Sequence, residues 1–227
     1  MTNVVNRVST GITNLDSLIG GGLPDKTITL LSGAPGCGKT LVGLNFVVDG
    51  AAKNEKCCYI SFSEDKDELL RACTGINRLK DASKYLDKNL IFQKIDLEEL
   101  TLAKFMQTLM IYPHIDRLVV DNVNKLLLFS DSDKRYRHMV SQLIGYFRKR
   151  TACCLLICEA EAGKIDTGRG EAFECDGVMQ LSFMDFEEKP RRILEIHKLR
   201  YTAFEPKVAH NLLITNEGIK LSDTKII

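Results

Sequence analysis

The chain is 227 residues long, 27% of them charged and 44% hydrophobic, with a formal net charge of +1. That balance fits one soluble globular core and excludes a general electrostatic attraction to nucleic acid or anionic membrane. No apolar run reaches membrane-spanning length and residues 1–7 lack the apolar core of a signal peptide; a cytoplasmic protein without membrane insertion is expected, folded as a single domain over residues 1–227.

In chain order, the first clear element is the β-branched run of residues 27–32, read as a strand. It leads into Gly33-Ala34-Pro35-Gly36-Cys37-Gly38-Lys39-Thr40, a complete G-x-x-x-x-G-K-[ST] sequence, and residues 41–48 follow with apolar side chains at helical spacing. Strand, glycine loop and helix is the context this motif requires. Gly33, Gly36 and Gly38 let successive backbone N–H groups turn inward on phosphate oxygens, and the helix offers its positive end to the same anion. Lys39, read as an exposed loop cation, would reach the β- and γ-phosphates, and the Thr40 hydroxyl would ligate Mg²⁺. The motif implies a bound nucleoside triphosphate.

Residues 57–62 read as a second strand and 66–73 as a short helix. Residues 98–111 set Leu102, Phe105, Met106 and Leu109 on one helical face, with Pro113 as a stop. Arg117-Leu118-Val119-Val120-Asp121 is an apolar strand ending in a carboxylate. Ligands gather at the carboxyl ends of parallel strands, so Asp121 is the expected partner of Thr40 in holding the metal. Residues 133–150 place Tyr136, Met139, Val140, Leu143 and Phe147 on one face behind Ser132 as N-cap, and residues 152–158 read as a fourth strand. This alternation predicts an α/β fold, a mostly parallel central sheet with helices on both faces. The last fifty residues read as two hairpins, 178–186 with 191–200 and 210–215 with 219–221, adding antiparallel strands at one edge. Eight cysteines, among them the pairs Cys57-Cys58 and Cys153-Cys154, show no C-x-x-C spacing and sit in strand-like runs. Buried, reduced thiols are expected.

Ser9-Thr10-Gly11-Ile12, Leu15-Asp16, Gly20-Gly21-Gly22-Leu23-Pro24, the glycine loop, Asp121-Asn122 and Leu194-Glu195-Ile196-His197-Lys198-Leu199-Arg200 follow one another along the chain. In this order they resemble the KaiC-like branch of the RecA/RadA superfamily, and the similarity to a single-domain KaiC-like ATPase of the sort common in archaea covers nearly the whole chain. The resemblance implies a RecA-like P-loop fold assembled as a homo-oligomer, a hexameric ring with ATP at each subunit interface, and an unidentified protein partner. It implies that Lys198 and Arg200 act catalytically on a neighbour's γ-phosphate, and it counts Leu41, Leu199 and Thr202 with the loop residues as nucleotide contacts. In the family, the strand after the first helix ends in two adjacent glutamates that activate the attacking water. Here Ser63 stands in the first position and Glu64 in the second. Glu64 or Asp65 is the candidate substitute base, although alternation along a regular strand turns Glu64 to the opposite face.

Three further departures carry expectations. Lys26 replaces a usual glycine, so the turn before the first strand should differ. Phe204 takes the place of a KaiC histidine, where an aromatic ring is suited to packing on the neighbour's nucleotide. Residues 171–176 hold no Ser or Thr where the second KaiC domain carries its phosphoacceptors, so autokinase activity is not expected. Two functions stay open: a slow ATP-hydrolysing ring with a regulatory or signalling role, and a nucleotide-sensing scaffold with negligible hydrolysis, like the accessory ATPase of the archaeal flagellar motor. A RadA-like action on DNA fits the superfamily, but the loop of residues 160–174 holds more acidic than basic residues and suits phosphates poorly.

Overall fold

Parallel strands covered by helices on both sides must be apolar on both faces, and the continuous Val, Ile, Leu and Cys runs of this chain become such strands. The computed structural model describes residues 5–96, 105, 107, 114–186 and 189–225. A two-residue pair, β1 (Arg7–Val8) with β2 (Leu23–Pro24), frames the short helix α1 (Leu15–Leu18). Then come β3 (Thr27–Gly33), α2 (Lys39–Ala52), β4 (Cys57–Ser61), α3 (Lys66–Thr74), α4 (Ala82–Tyr85), β5 (Leu90–Lys94) and β6 (Ile115–Asp121). A 3-10 segment (Val123–Phe129), α5 (Asp133–Arg150), β7 (Thr151–Glu159), α6 (Glu171–Glu174), β8 (Gly177–Phe186), β9 (Lys189–Leu199), β10 (His210–Thr215) and β11 (Gly218–Lys225) complete the order.

Among the described residues the main sheet has nine strands in the order β11-β10-β9-β8-β3-β7-β6-β4-β5. From β8 to β5 all neighbours are parallel, whereas β8, β9, β10 and β11 pair antiparallel. The expected α/β architecture is therefore present, with antiparallel strands at the C-terminal edge. β3 and β4 are separated by β7 and β6, so the carboxyl ends of these strands surround the loop that follows β3. One core lies between the sheet and α2, built on Val42, Val47, Tyr59, Val119, Leu155, Met179 and Leu194. The other lies under α5, built on Ile28, Leu30, Ile60, Val120, Leu143, Phe147 and Leu156. Ser132 accepts the backbone N–H of Arg135 at 3.3 Å, the N-cap its position predicts.

Some expectations shift. Strand β5 has no counterpart in the sequence reading; it is short and its outer residues are only partly covered. The helix predicted over 98–111 lies outside the described residues except for Phe105 and Gln107, and Phe105 is buried between Phe62 and Phe147. Lys26 adopts a positive φ of 56°, so the turn before β3 keeps a glycine-like backbone despite the substitution. All eight cysteines are free and buried. No helix of the described residues is long and apolar enough to cross a membrane.

Arg117 opens the apolar run of β6, yet its side chain is wholly buried. Its guanidinium donates to the carbonyls of Ser9 at 2.7 Å and Phe46 at 2.9 Å, pairs with Asp49 at 2.9 Å and bridges both carboxylate oxygens of Glu55. It also lies 4.9 Å over the Phe46 ring. A buried cation is tolerable only when so fully paired. Burial alone would raise the Asp49 pKa, but hydrogen bonds from Lys53 and Ser9 and the charge of Arg117 outweigh it and leave the group below its ordinary 3.8. A depressed carboxylate stabilises the fold above its unfolded pKa, and that stability is lost as pH falls through the folded value. Arg117→Met should therefore cost about 3 kcal/mol or more in urea unfolding at neutral pH. It should also move the start of acid unfolding to higher pH than in the parent, where this contribution declines only below pH 3.8. An unchanged urea midpoint would mean that the ion cluster holds nothing together.

Candidate functional site

The last residue of β3, Gly33, has φ 151°, and a Cβ there would collide with the Leu181 carbonyl oxygen on β8. Gly36 (φ 80°) and Gly38 (φ 100°) also need the left-handed region, and Gly38 is the N-cap of α2. The chain therefore leaves β3, curls, and enters a 14-residue helix whose first N–H groups face the curl. Lys39 is 7% exposed, against the expectation of an exposed cation. Its Nζ folds back to donate to the carbonyls of Gly33 and Ala34, both at 2.9 Å, because a buried ammonium needs acceptors.

Thr40 in the first turn of α2 and Asp121 at the end of β6 meet as predicted, Thr40 Oγ1 donating to Asp121 Oδ2 at 2.9 Å. The Tyr59 hydroxyl on β4 donates to the same oxygen at 2.6 Å. Burial raises the Asp121 pKa; the bonds from Tyr59 and Thr40 and the charge of Lys39 pull it back, while Glu159 pushes it up. Glu159 ends β7 level with Gly33, and neighbouring Asn122 has a buried side-chain oxygen without a partner among the described residues. These are hard oxygen donors. Mg²⁺ typically takes one or two protein oxygens and completes its shell with phosphate and water, so the donor set fits it.

The predicted strand 57–62 stops its regular pairing at Ser61, opposite Asp121. There Ser61 Oγ accepts the backbone N–H groups of Ser63 at 3.2 Å and Glu64 at 2.9 Å, bending the chain. Asp65 then caps α3 in a reciprocal box with Glu68. Strand alternation therefore does not govern Glu64, and the expectation that it turns away from the site is corrected. Ser63 is exposed, whereas Glu64 is half-buried. Burial, and next the charge of Asp121, raise the Glu64 pKa above its ordinary 4.5, so the two carboxylates share one electrostatic environment.

Lys198 and Arg200 lie elsewhere. Lys198 is level with Val178, and Val178 with Leu30, three residues back from Gly33 and two strands across. Regular strand geometry puts that at roughly 14 Å from the loop. Lys198 Nζ donates to the carbonyls of Ala172 (3.2 Å), Phe173 (3.3 Å) and Cys175 (2.5 Å). Burial and then Arg200 lower its pKa. Arg200 pairs with Asp176 at 3.2 Å, a carboxylate shared with Arg148 at 2.8 Å. A bulge decides their face: Met179 pairs with Ile196 but Val178 with Lys198, leaving His197 as the extra residue. Leu194, Ile196 and Leu199 all enter the core under α2, so the bulge sends Lys198 to the opposite face. Thr202 stands at this same end, accepting from Arg7 at 2.5 Å. Phe204 packs partly buried against its own core rather than projecting, while Phe173 is 83% exposed beside Lys198. Leu41 also packs against the α2 core.

Sequence reasoning passes over Arg192, Glu159 and Tyr59. Arg192 lies over the Phe183 ring at 5.4 Å, and its Nε, buried and without a partner among the described residues, is 4.0 Å from where a Cβ on Gly38 would sit. The only hint in the sequence is a cation two residues before Leu194, the residue whose partner Leu181 borders Gly33.

The family model described as the KaiC ATPase matches residues 8–226. The chain is 24% identical to a UPF0273 protein of Pyrococcus furiosus, over 99% of this chain and 97% of that one. It is 26% identical to a UPF0273 protein of Methanopyrus kandleri, over 98% and 94%. It is 24% identical to the circadian clock protein KaiC3 of a Synechocystis strain, over 96% of this chain but 46% of that longer protein. The crystal structure of a KaiC-like protein from Pyrococcus horikoshii superposes with a TM-score of 0.81 at 24% identity, covering 96% of this chain and all of the other.

Gly33→Ala tests the loop geometry directly. Strain at a positive φ costs about 1–3 kcal/mol, and in a chain of this size that lowers Tm by roughly 2–12 °C. A Tm equal to the parent's would mean that the loop does not need its glycine here.

Proposed function

The chain belongs to the KaiC ATPase family, and on that premise we propose that it is a single nucleotide-binding unit that binds ATP with Mg²⁺ at the loop of residues 33–40 and hydrolyses it slowly at interfaces between copies. The observation that carries this reading is the meeting of Thr40 and Asp121 beside a glycine loop that opens onto a helix N-terminus. In it, the loop N–H groups hold the phosphates and Lys39 exchanges the carbonyls of Gly33 and Ala34 for the β- and γ-phosphates. Arg192 supplies a further donor from β9 of the same chain. Bound Mg²⁺ would neutralise charge on the phosphate oxygens. Glu64 takes the proton of the attacking water, and its raised pKa makes it a stronger base than an ordinary carboxylate. Lys198, Arg200 and Thr202 are too far from their own loop to serve it, which supports their action on a second copy, in a ring whose contacts report nucleotide state to a protein partner.

Lys39→Ala should lose most ATP affinity by calorimetry, and unchanged binding would remove the loop from consideration. Glu64→Gln should lower phosphate release by about 10²–10⁴-fold, the usual size of general-base catalysis, with nucleotide affinity preserved. Ser63→Glu should then add little. The rate should fall as pH drops through the Glu64 pKa, above the ordinary 4.5, because only the ionised carboxylate accepts a proton. The reverse pair of results, an unaffected Glu64→Gln and an accelerated Ser63→Glu, assigns the chemistry to position 63. Mixing Arg200→Ala chains with Lys39→Ala chains should restore part of the activity that each lacks, since each mixed interface pairs an intact loop with an intact cation. No recovery at any ratio argues against action between copies.

A further inference from the structure

Tyr59 sits in the middle of β4, paired in register with Val119 of β6 and Phe92 of β5. It has no solvent exposure. Its ring meets Phe92 edge-on at a centroid distance of 6.1 Å, and Cε2 stands 3.0 Å from where a Cβ on Gly43 would lie. Packing on both sides leaves the ring one position. Its hydroxyl then falls 2.6 Å from Asp121 Oδ2, the oxygen that also accepts from Thr40 at 2.9 Å. A carboxylate oxygen only accepts, so both hydroxyl hydrogens are committed to Asp121. The Thr40 oxygen keeps its lone pairs for another partner, and the second Asp121 oxygen is left outside this pair of bonds.

We propose that Tyr59 is a positioning residue of the Mg²⁺ site: by holding Asp121 from beneath, its hydroxyl fixes the carboxylate, and through it Thr40, in the arrangement that receives the metal. The inference rests on the reading of Thr40 and Asp121 as the metal pair. Partners that orient a ligating carboxylate typically change metal affinity 10–100-fold when removed. The one atom at issue is the hydroxyl oxygen, because phenylalanine fills the rest of the volume. A tyrosine that merely satisfied its own hydroxyl on Asp121 would influence stability and leave the metal dependence of binding unmoved.

The test is the binding of a fluorescent ATP analogue to Tyr59→Phe, titrated with Mg²⁺ and repeated in EDTA, with thermal unfolding alongside and Asp121→Ala as reference. The expected result is a 10–100-fold rise in the Mg²⁺ concentration needed for tight binding, with metal-free affinity within about twofold of the parent. Tyr59→Phe with a parental Mg²⁺ response beside a shifted Asp121→Ala overturns the role of the hydroxyl. If Asp121→Ala also keeps the parental Mg²⁺ response, the metal pair itself is misassigned and the inference falls with it. Equal loss of binding with and without metal in Tyr59→Phe would reduce the residue to a support of the fold.

Discussion

Helix α2 is tied to strand β6 at two points, and the position of the glycine loop depends on both. At the loop end Thr40 donates to Asp121. At the far end the carbonyl of Phe46 and the carboxylate of Asp49 accept from Arg117. The two ladders match in length: four strand residues rise roughly 13 Å at 3.3 Å each, and nine helical residues about 14 Å at 1.5 Å each. A helix anchored at one end only would be free to slide along the sheet by part of a turn. Anchored at both, it cannot move Lys39 or Thr40 without stretching the bonds of a fully buried guanidinium.

The same strand therefore carries a buried cation at one end and, at the other, the carboxylate that meets Thr40. Between them run Leu118, Val119 and Val120, buried alternately against the two cores. Continuous apolar strands of this kind explain why β3, β4, β6 and β7 are legible in the sequence, and the glycine loop is legible because few other backbones need glycine at such spacing. β5 is not, since five half-covered residues carry too weak a pattern. Lys39 reads as exposed because a sequence does not tell that its ammonium has carbonyls to fold onto. Glu64 is misjudged because a single hydroxyl, Ser61 Oγ, bends the chain where the strand ends, one residue earlier than the apolar pattern suggests. Tyr59, Glu159 and Arg192 come to the site through cross-strand register, which no local pattern encodes.

The antiparallel edge introduces a second polarity. β9 runs against β8, so its two ends serve different places: Arg192 stands by the chain's own loop, and Lys198 stands far from it. One extra residue, His197, then chooses the face on which the distal cations emerge. Lys198 is held by three carbonyls and Arg200 by a carboxylate it shares with Arg148. Cations so restrained have little side-chain freedom left to lose.

The eight buried thiols have a consequence of a different order. Burial pushes Cys58, Cys73, Cys153 and Cys175 up to about 12, so in the intact molecule they are protonated and chemically silent at neutral pH. Opening the core returns all eight to ordinary acidity near 8.5 at once. An unfolded chain in air then has many sulfurs able to join one another in non-native pairs. Loss of structure becomes a one-way event outside a reducing environment, and the lifetime of the protein on the bench is set by how often it opens rather than by how stable it is on average. The same silence makes the appearance of reactive thiol a counter of unfolding that needs no label.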